Sequence, residues 1–349
     1  MQSMPPALLE DVIHIEERRP LSEEIVSVLE QVVWGTDEAR YTLKNVREIL
    51  QHTTGFQYFL VRRNGKIVAM RADQVKTLQV NGTWEPCLYH SMAAVVPSAL
   101  GRGFGRIMYG KSLDYYKRKL NEKGIIYAYV ETGNLKSLHL SESLGYRRLG
   151  QFQVIAFSRF FPKNSSGVTL LQEHEIPWID HLLKERYHGH LLLEKDPAIR
   201  LGSYYVLKDE EGIVAGVQAD FQRWQIHSLG GFGGSVARDL LPHIPLMRRI
   251  FNPDDFRFLK WGHVYVRKGR EKILFELMEA VLARQGLHTG IGYFDRRSPV
   301  DGPLLKKQGW GVLRHLVETS VQVLGYFQEG QYKLTDLQKI PLVISPNDP

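Results

Sequence analysis

The stretch from Leu88 to Arg106 constrains this chain more than any other. It runs as an apolar segment to Val96, a proline, a glycine-rich turn and the start of an amphipathic run. The apolar part, broken only by His90 and Ser91, has the length of a buried strand and is too short for a membrane span. Pro97 cannot donate to a ladder, so the spacing predicts that pairing ends there. Gly101, Gly103 and Gly105 then alternate with Arg102, Phe104 and Arg106. Such glycines free the backbone for left-handed angles and let a ligand approach the amides closely. A helix start adds unpaired N–H groups and a partial positive charge. Together they suit a phosphate or pyrophosphate.

The spacing excludes two common phosphate loops. A Walker loop needs Lys-Ser or Lys-Thr after its last glycine, and Arg106-Ile107 stands there. A dinucleotide fingerprint needs a third glycine where this chain has Arg106 or Met108. The run Val95-x-Pro97-x-x-x-Gly101-Arg102-Gly103-Phe104-Gly105 instead resembles the acyl-coenzyme-A loop of the GNAT N-acetyltransferases. Downstream, Ile125 to Glu131 reads as the next strand. Asn134-x-x-Ser137-x-x-Leu140-x-x-x-Leu144-Gly145-Tyr146 is similar to that family's Asn-x-x-Ala…Gly-Phe signature.

The resemblance implies a mixed α/β fold, with a largely antiparallel central sheet and flanking helices. It also implies acetyl-CoA as co-substrate, and direct transfer of an acetyl or other acyl group to a primary amine in a ternary complex. The cofactor residues it designates are Val95, Val96, Gly101, Arg102, Gly103, Phe104, Gly105, Arg106 and Asn134. Two positions depart from the family pattern. Leu100 stands where Arg or Gln is usual. Ser141 stands where a tyrosine usually protonates the departing thiolate. An alkyl thiol has a pKa near ~8.5, so its thiolate leaves without much help, and the loss of an acid costs on the order of 10²–10⁴ in rate.

The amine must shed a proton before or during attack, which calls for a base or a water chain. Glu131, at the end of the strand after the loop helix, and His90, farther back on the central strand, are the candidates. The amides of Val95 or Val96 are candidates for a thioester oxyanion hole.

Before the loop, Asp11 to Glu17 reads as a strand, Ser22 as the N-cap of a helix, and Tyr41 to Gln51 as a second helix. Asn64-Gly65 and Asn81-Gly82 mark two hairpins. The second half looks like a worn copy of the first. Tyr204–Lys208 and Ile213–Phe221 repeat a hairpin, Trp261–Val266 the central strand, Ile273–Arg284 its helix, and Ile291–Phe294 the next strand. Its counterpart loop, Arg267 to Lys272, is short, crowded and holds one glycine. The expected organisation is therefore tandem: a catalytic GNAT unit over 1–162, a linker over 163–167, a degenerate GNAT-like unit over 168–340 that does not bind cofactor, and a tail over 341–349.

A single cysteine, Cys87, excludes an internal disulfide and a cysteine-rich metal site, and agrees with a cytoplasmic protein. No signal peptide or spanning segment is expected, and so no membrane partner. The net charge of +7 is dispersed along the chain and suits a polyphosphate cofactor. No base-reading motif appears, so nucleic-acid binding ranks last. His181, Glu185, His188 and His190 cluster without metal-ligand spacing, and no metal is expected. The acceptor is a small-molecule or peptide amine, and a homodimer is compatible with the duplication. A coenzyme-A-binding module without turnover is the alternative reading.

Overall fold

The computed structural model describes residues 13–16, 21–36, 39–52, 55–120, 123–230, 234, 238–315, 319–345 and 348. The first half supplies β1 (Ile13–Glu16), α1 (Glu23–Glu30), β2 (Trp34–Gly35), β3 (Ala39–Leu43), α2 (Val46–His52), β4 (Phe56–Arg63), β5 (Lys66–Val80), β6 (Thr83–Val95), α3 (Phe104–Lys119), β7 (Ile126–Glu131), α4 (Leu135–Ser143) and β8 (Arg147–Ser158). Ser22 caps α1 as expected, its hydroxyl accepting from the Ile25 amide at 3.3 Å. Both Asn-Gly pairs are left-handed turns: Asn64 and Gly65 sit at φ 51° and 76°, Asn81 and Gly82 at 49° and 83°.

One expected helix is shorter than its pattern. Residues 39–43 are strand, and helix begins only at Val46. The reason is tertiary: β3 pairs antiparallel with a strand of the second half, Leu43 opposite Trp224, and that ladder overrides the local preference. Helix α3 ends at Lys119, five residues before Gly124. A Cβ at Gly124 would fall 1.9 Å from the Pro86 carbonyl oxygen, so the glycine permits the close approach of β7 to β6.

The second half supplies β9 (Val168–Leu170), α5 (Ile176–Arg186), β10 (Tyr204–Asp209), β11 (Gly212–Leu229), α6 (Pro245–Ile250), β12 (Phe256–Val266), α7 (Glu271–Gln285), β13 (Thr289–Phe294), α8 (Gly302–Leu305), β14 (Thr319–Tyr326) and α9 (Leu334–Leu337). Residues 231–233 and 235–237, in and after a glycine-rich run that starts at Gly230, lie outside the described residues. Helix α7 buries Leu274, Leu277, Met278 and Val281 against Trp261 and Phe157, the main core of this half. Among the described residues no helix is long and apolar enough to cross a membrane.

All strands but two short ones follow one path in a 14-stranded sheet, β1-β4-β5-β6-β7-β14-β8-β13-β12-β11-β10-β9. Neighbours on it are antiparallel except two pairs: β6 with β7, over Leu88–His90 and Ile126–Ala128, and β12 with β13, over Leu259–Trp261 and Gly290–Gly292. A residue with positive φ follows each short parallel contact, Met92 at 47° and His263 at 44°. Each lies where the register to the preceding antiparallel strand slips, and such bulges bend a strand away from its partner. The repeat seen in the sequence is thus kept at its most unusual backbone feature. The last strand of each half crosses over: β14 lies between β7 and β8, and β8 reaches β13.

Candidate active site

The glycine loop opens outward. After a single turn over Pro97–Ala99, Gly101 and Gly103 take φ of 76° and 84°. A Cβ at either would meet nothing within 4 Å, so the space over the loop is open to a ligand. Phe104, only 1% exposed, anchors the turn against Phe59, Val61 and Met108. The first backbone bond of the helix is Ile107 N–H to the Gly103 carbonyl, 3.1 Å. The amides of Phe104, Gly105 and Arg106 precede it and have no partner within the helix. Arg102 and Arg106 are exposed beside them. This cradle fits a pyrophosphate.

Beyond the loop, β6 and β7 part at Met92. Of the two amides expected at the gap, that of Val96 is already used: it donates to the Val68 carbonyl at 3.0 Å. Alternation along an antiparallel ladder turns the Val95 amide to the opposite edge, toward the gap. Val95 is therefore the oxyanion candidate, and Val96 is corrected to a ladder residue.

A cavity of about 250 Å³ runs through the gap. On the side of α3 and α4 its wall includes Tyr109, Asn134 and Ser137; on the far side stand Tyr41, Glu131 and Trp224. Asn134 caps α4, its side-chain oxygen accepting from the Ser137 amide at 3.1 Å. Glu131 accepts from the Tyr41 hydroxyl at 3.3 Å. Ser141 is buried in α4 and is not among the described residues lining the cavity.

His90 lines the cavity and is 3% exposed. Its Nδ1 lies 2.7 Å from Asp73 Oδ1, and Arg71 Nε donates to the same oxygen at 2.8 Å. Burial alone would raise the Asp73 pKa, but Arg71 and His90 outweigh it and hold the carboxyl below its usual range. Burial, reinforced by Arg71, pushes His90 down to about 4 despite Asp73. Asp73 is therefore an ionised acceptor, which places the neutral imidazole proton on Nδ1 and leaves Nε2 a lone pair.

Arg71 and Asp73 were missed in the sequence, although two opposite charges at period 2 in an apolar strand mark one face. Lys260 and Asp348 were missed too. Both line the cavity, and Lys260 donates to the Asp348 main-chain oxygen. The Asp348 carboxylate accepts from Lys76 and, at 2.9 Å, from the Tyr129 hydroxyl. Burial lowers the Lys260 pKa to about 8, against the pull of Asp348 and Asp220.

The matching gap in the second half is filled by chain. Leu192, Leu193 and the segment Leu342–Ile344 enter it, and the remaining cavity is about 40 Å³. The histidine cluster there is structural at His190, which bonds Ser298 at 2.9 Å. Among the described residues no group of three or more His, Cys, Asp or Glu could hold a metal.

Sequence comparison covers the stretch that carries the loop, the gap and the cap. Residues 23–146 match the acetyltransferase (GNAT) family. That segment is a GNAT unit. No curated protein sequence matches the chain. The N-myristoyltransferase of Saccharomyces cerevisiae, solved with bound myristoyl-CoA, superposes at a TM-score of 0.59 with 11% identity, covering 98% of this chain and 86% of that one. GCN5-related N-acetyltransferases of Anabaena variabilis and Sphaerobacter thermophilus superpose at 0.50, with 11% and 12% identity. They cover 90% and 93% of this chain, and 73% and 97% of theirs. At such identities these structures establish shared fold. The GNAT fold with a tandem-like second half extends over most of the chain.

Proposed function

We propose that the protein is an N-acyltransferase that takes its acyl group from acyl-coenzyme A, acetyl being the first group to test, and passes it to a primary amine. The cavity through the β6–β7 gap carries this reading, because its wall runs from Tyr109 of α3, the helix that the glycine loop opens, to Glu131. The diphosphate rests on the amides of residues 101–106, with Arg102 and Arg106 beside it. The pantetheine arm enters past Tyr109 and Asn134. The Val95 amide meets the thioester oxygen. The amine arrives from the opposite side, where Glu131 favours its cationic form on entry and then receives or relays the proton. Ser141 lies off the cavity, so the thiolate leaves without it.

The test is release of free coenzyme A from acetyl-CoA, and from longer acyl-CoAs, in the presence of a panel of amines and peptides with free N-termini. Glu131→Gln is expected to lower the rate about 10²-fold with coenzyme-A affinity unchanged. Coenzyme-A binding without turnover on any acceptor would favour a regulatory module.

A further inference from the structure

Three buried polar atoms gather under the cavity with no protein partner: His90 Nε2, Arg71 Nη1 and the Tyr146 hydroxyl. Their residues are 3%, 0% and 1% exposed. The other atoms of the same groups are committed. Arg71 Nε and Nη2 donate to Asp73, and Nη2 also donates to Ser112. His90 Nδ1 is held by Asp73. The His90 and Tyr146 rings lie with centroids 6.2 Å apart, tilted, and neither polar atom bonds the other. Buried polar atoms are satisfied in nearly every folded protein, and a buried water needs two to four polar partners. Here the partners are complementary: Arg71 donates, Nε2 accepts, and the tyrosine hydroxyl does either.

We propose that these three atoms hold one ordered water, and that this water and His90 carry the proton of acyl transfer. The inference rests on the acyltransferase reading for its chemistry and on the orphaned atoms for the water. Glu131 takes the proton that frees the ammonium for attack. Once the amine nitrogen bonds the thioester carbon, the second, surplus proton passes to the water, which gives one of its own to His90 Nε2. The carbon–sulfur bond breaks, the thiolate takes a proton back through the same water, and His90 returns to its neutral form. Asp73, clamped by Arg71, is a positioning residue: it fixes the tautomer that keeps Nε2 a lone pair. Tyr116 of α3 also packs edge-on against His90, and Ser112 and Tyr109 of the same helix contact Arg71. The site gives the protein a proton shuttle on the coenzyme-A side, independent of Ser141.

Tyr146→Phe tests the proposal, because it removes one orphaned hydroxyl and no other bond. The expected result is an unchanged or higher melting temperature, coenzyme-A affinity within about twofold, and a single-turnover acyl-transfer rate about tenfold lower, below the full contribution of a proton-transfer group. Asp73→Asn should cut the rate further and shift the His90 ring-nitrogen resonances toward the other tautomer. A Tyr146→Phe variant at full rate overturns the shuttle. A high-resolution crystal structure with no density among the three atoms overturns the water. A wild-type protein that transfers no acyl group would instead overturn the acyltransferase reading, while the density and the nitrogen resonances still decide the hydration site.

Discussion

The Tyr41 ring lies flat on the Trp224 indole, with centroids 4.1 Å apart and planes 8° from parallel. One ring comes from β3 of the first half and the other from β11 of the second, and the Tyr41 hydroxyl reaches Glu131. The acceptor side of the cavity is therefore built jointly. Trp224→Ala removes a stack worth about 0.5–1.5 kcal/mol beyond its burial. The expected outcome is a fall of roughly 3- to 10-fold in kcat/KM for the amine, with coenzyme-A affinity held, as steady-state kinetics and calorimetry will show.

Gly103 occupies the left-handed region with open space beside it, so its backbone angle excludes a side chain there and crowding does not. Gly103→Val costs about 1–2 kcal/mol in conformation and turns the amides away from the ligand. Calorimetry is expected to show coenzyme-A affinity at least about tenfold weaker. Gly110, in the middle of α3 and equally uncrowded, is the control. Gly110→Ala should raise stability by about 0.5–1 kcal/mol and leave coenzyme-A affinity unchanged.

Acid should destabilise the fold before it reaches ordinary carboxylates. Burial depresses His90 to about 4 and His263 to about 3. Between these values and the unfolded pKa of about 6.5 the unfolded chain binds more protons, so stability is full above pH ~6.5 and falls as pH drops toward 4. Asp73, whose pKa is also lowered, adds to the loss below its unfolded value. Denaturant titrations from pH 7.5 to 4.5 should show the decline. His90→Gln should make it shallower by roughly 3 kcal/mol at most.

Cys87 is wholly buried in β6 and accepts from the Ile125 amide at 3.4 Å. Burial pushes its thiol up to about 12, and only the thiolate reacts. A thiol reagent should label the native protein no faster than it unfolds. Labelling within seconds in native buffer would contradict that placement.

The loop, the hairpins and the cap at Ser22 were legible because each is fixed by local backbone geometry: left-handed glycines, Asn-Gly turns, an N-cap side chain. The parallel order of elements in the two halves was legible from spacing alone. What stayed hidden depends on chain segments far apart in sequence. Residues 41–43 look helical until β11 is beside them. The Val96 amide looks free until Val68 is opposite. Lys260 and Asp348 meet at the cavity across 88 positions, and no periodicity records such a meeting. Arg71 and Asp73 were visible as charges in an apolar strand, yet their meaning needed His90 from the next strand.

The interleaving of β14 between β7 and β8 has a consequence for anyone dissecting the protein. A cut in the segment that joins the halves bares β7 and both edges of β8 on one piece, and β13 and both edges of β14 on the other. Expressed alone, such pieces are candidates for aggregation; expressed together, they hold complementary edges and can rebuild the whole sheet from two genes.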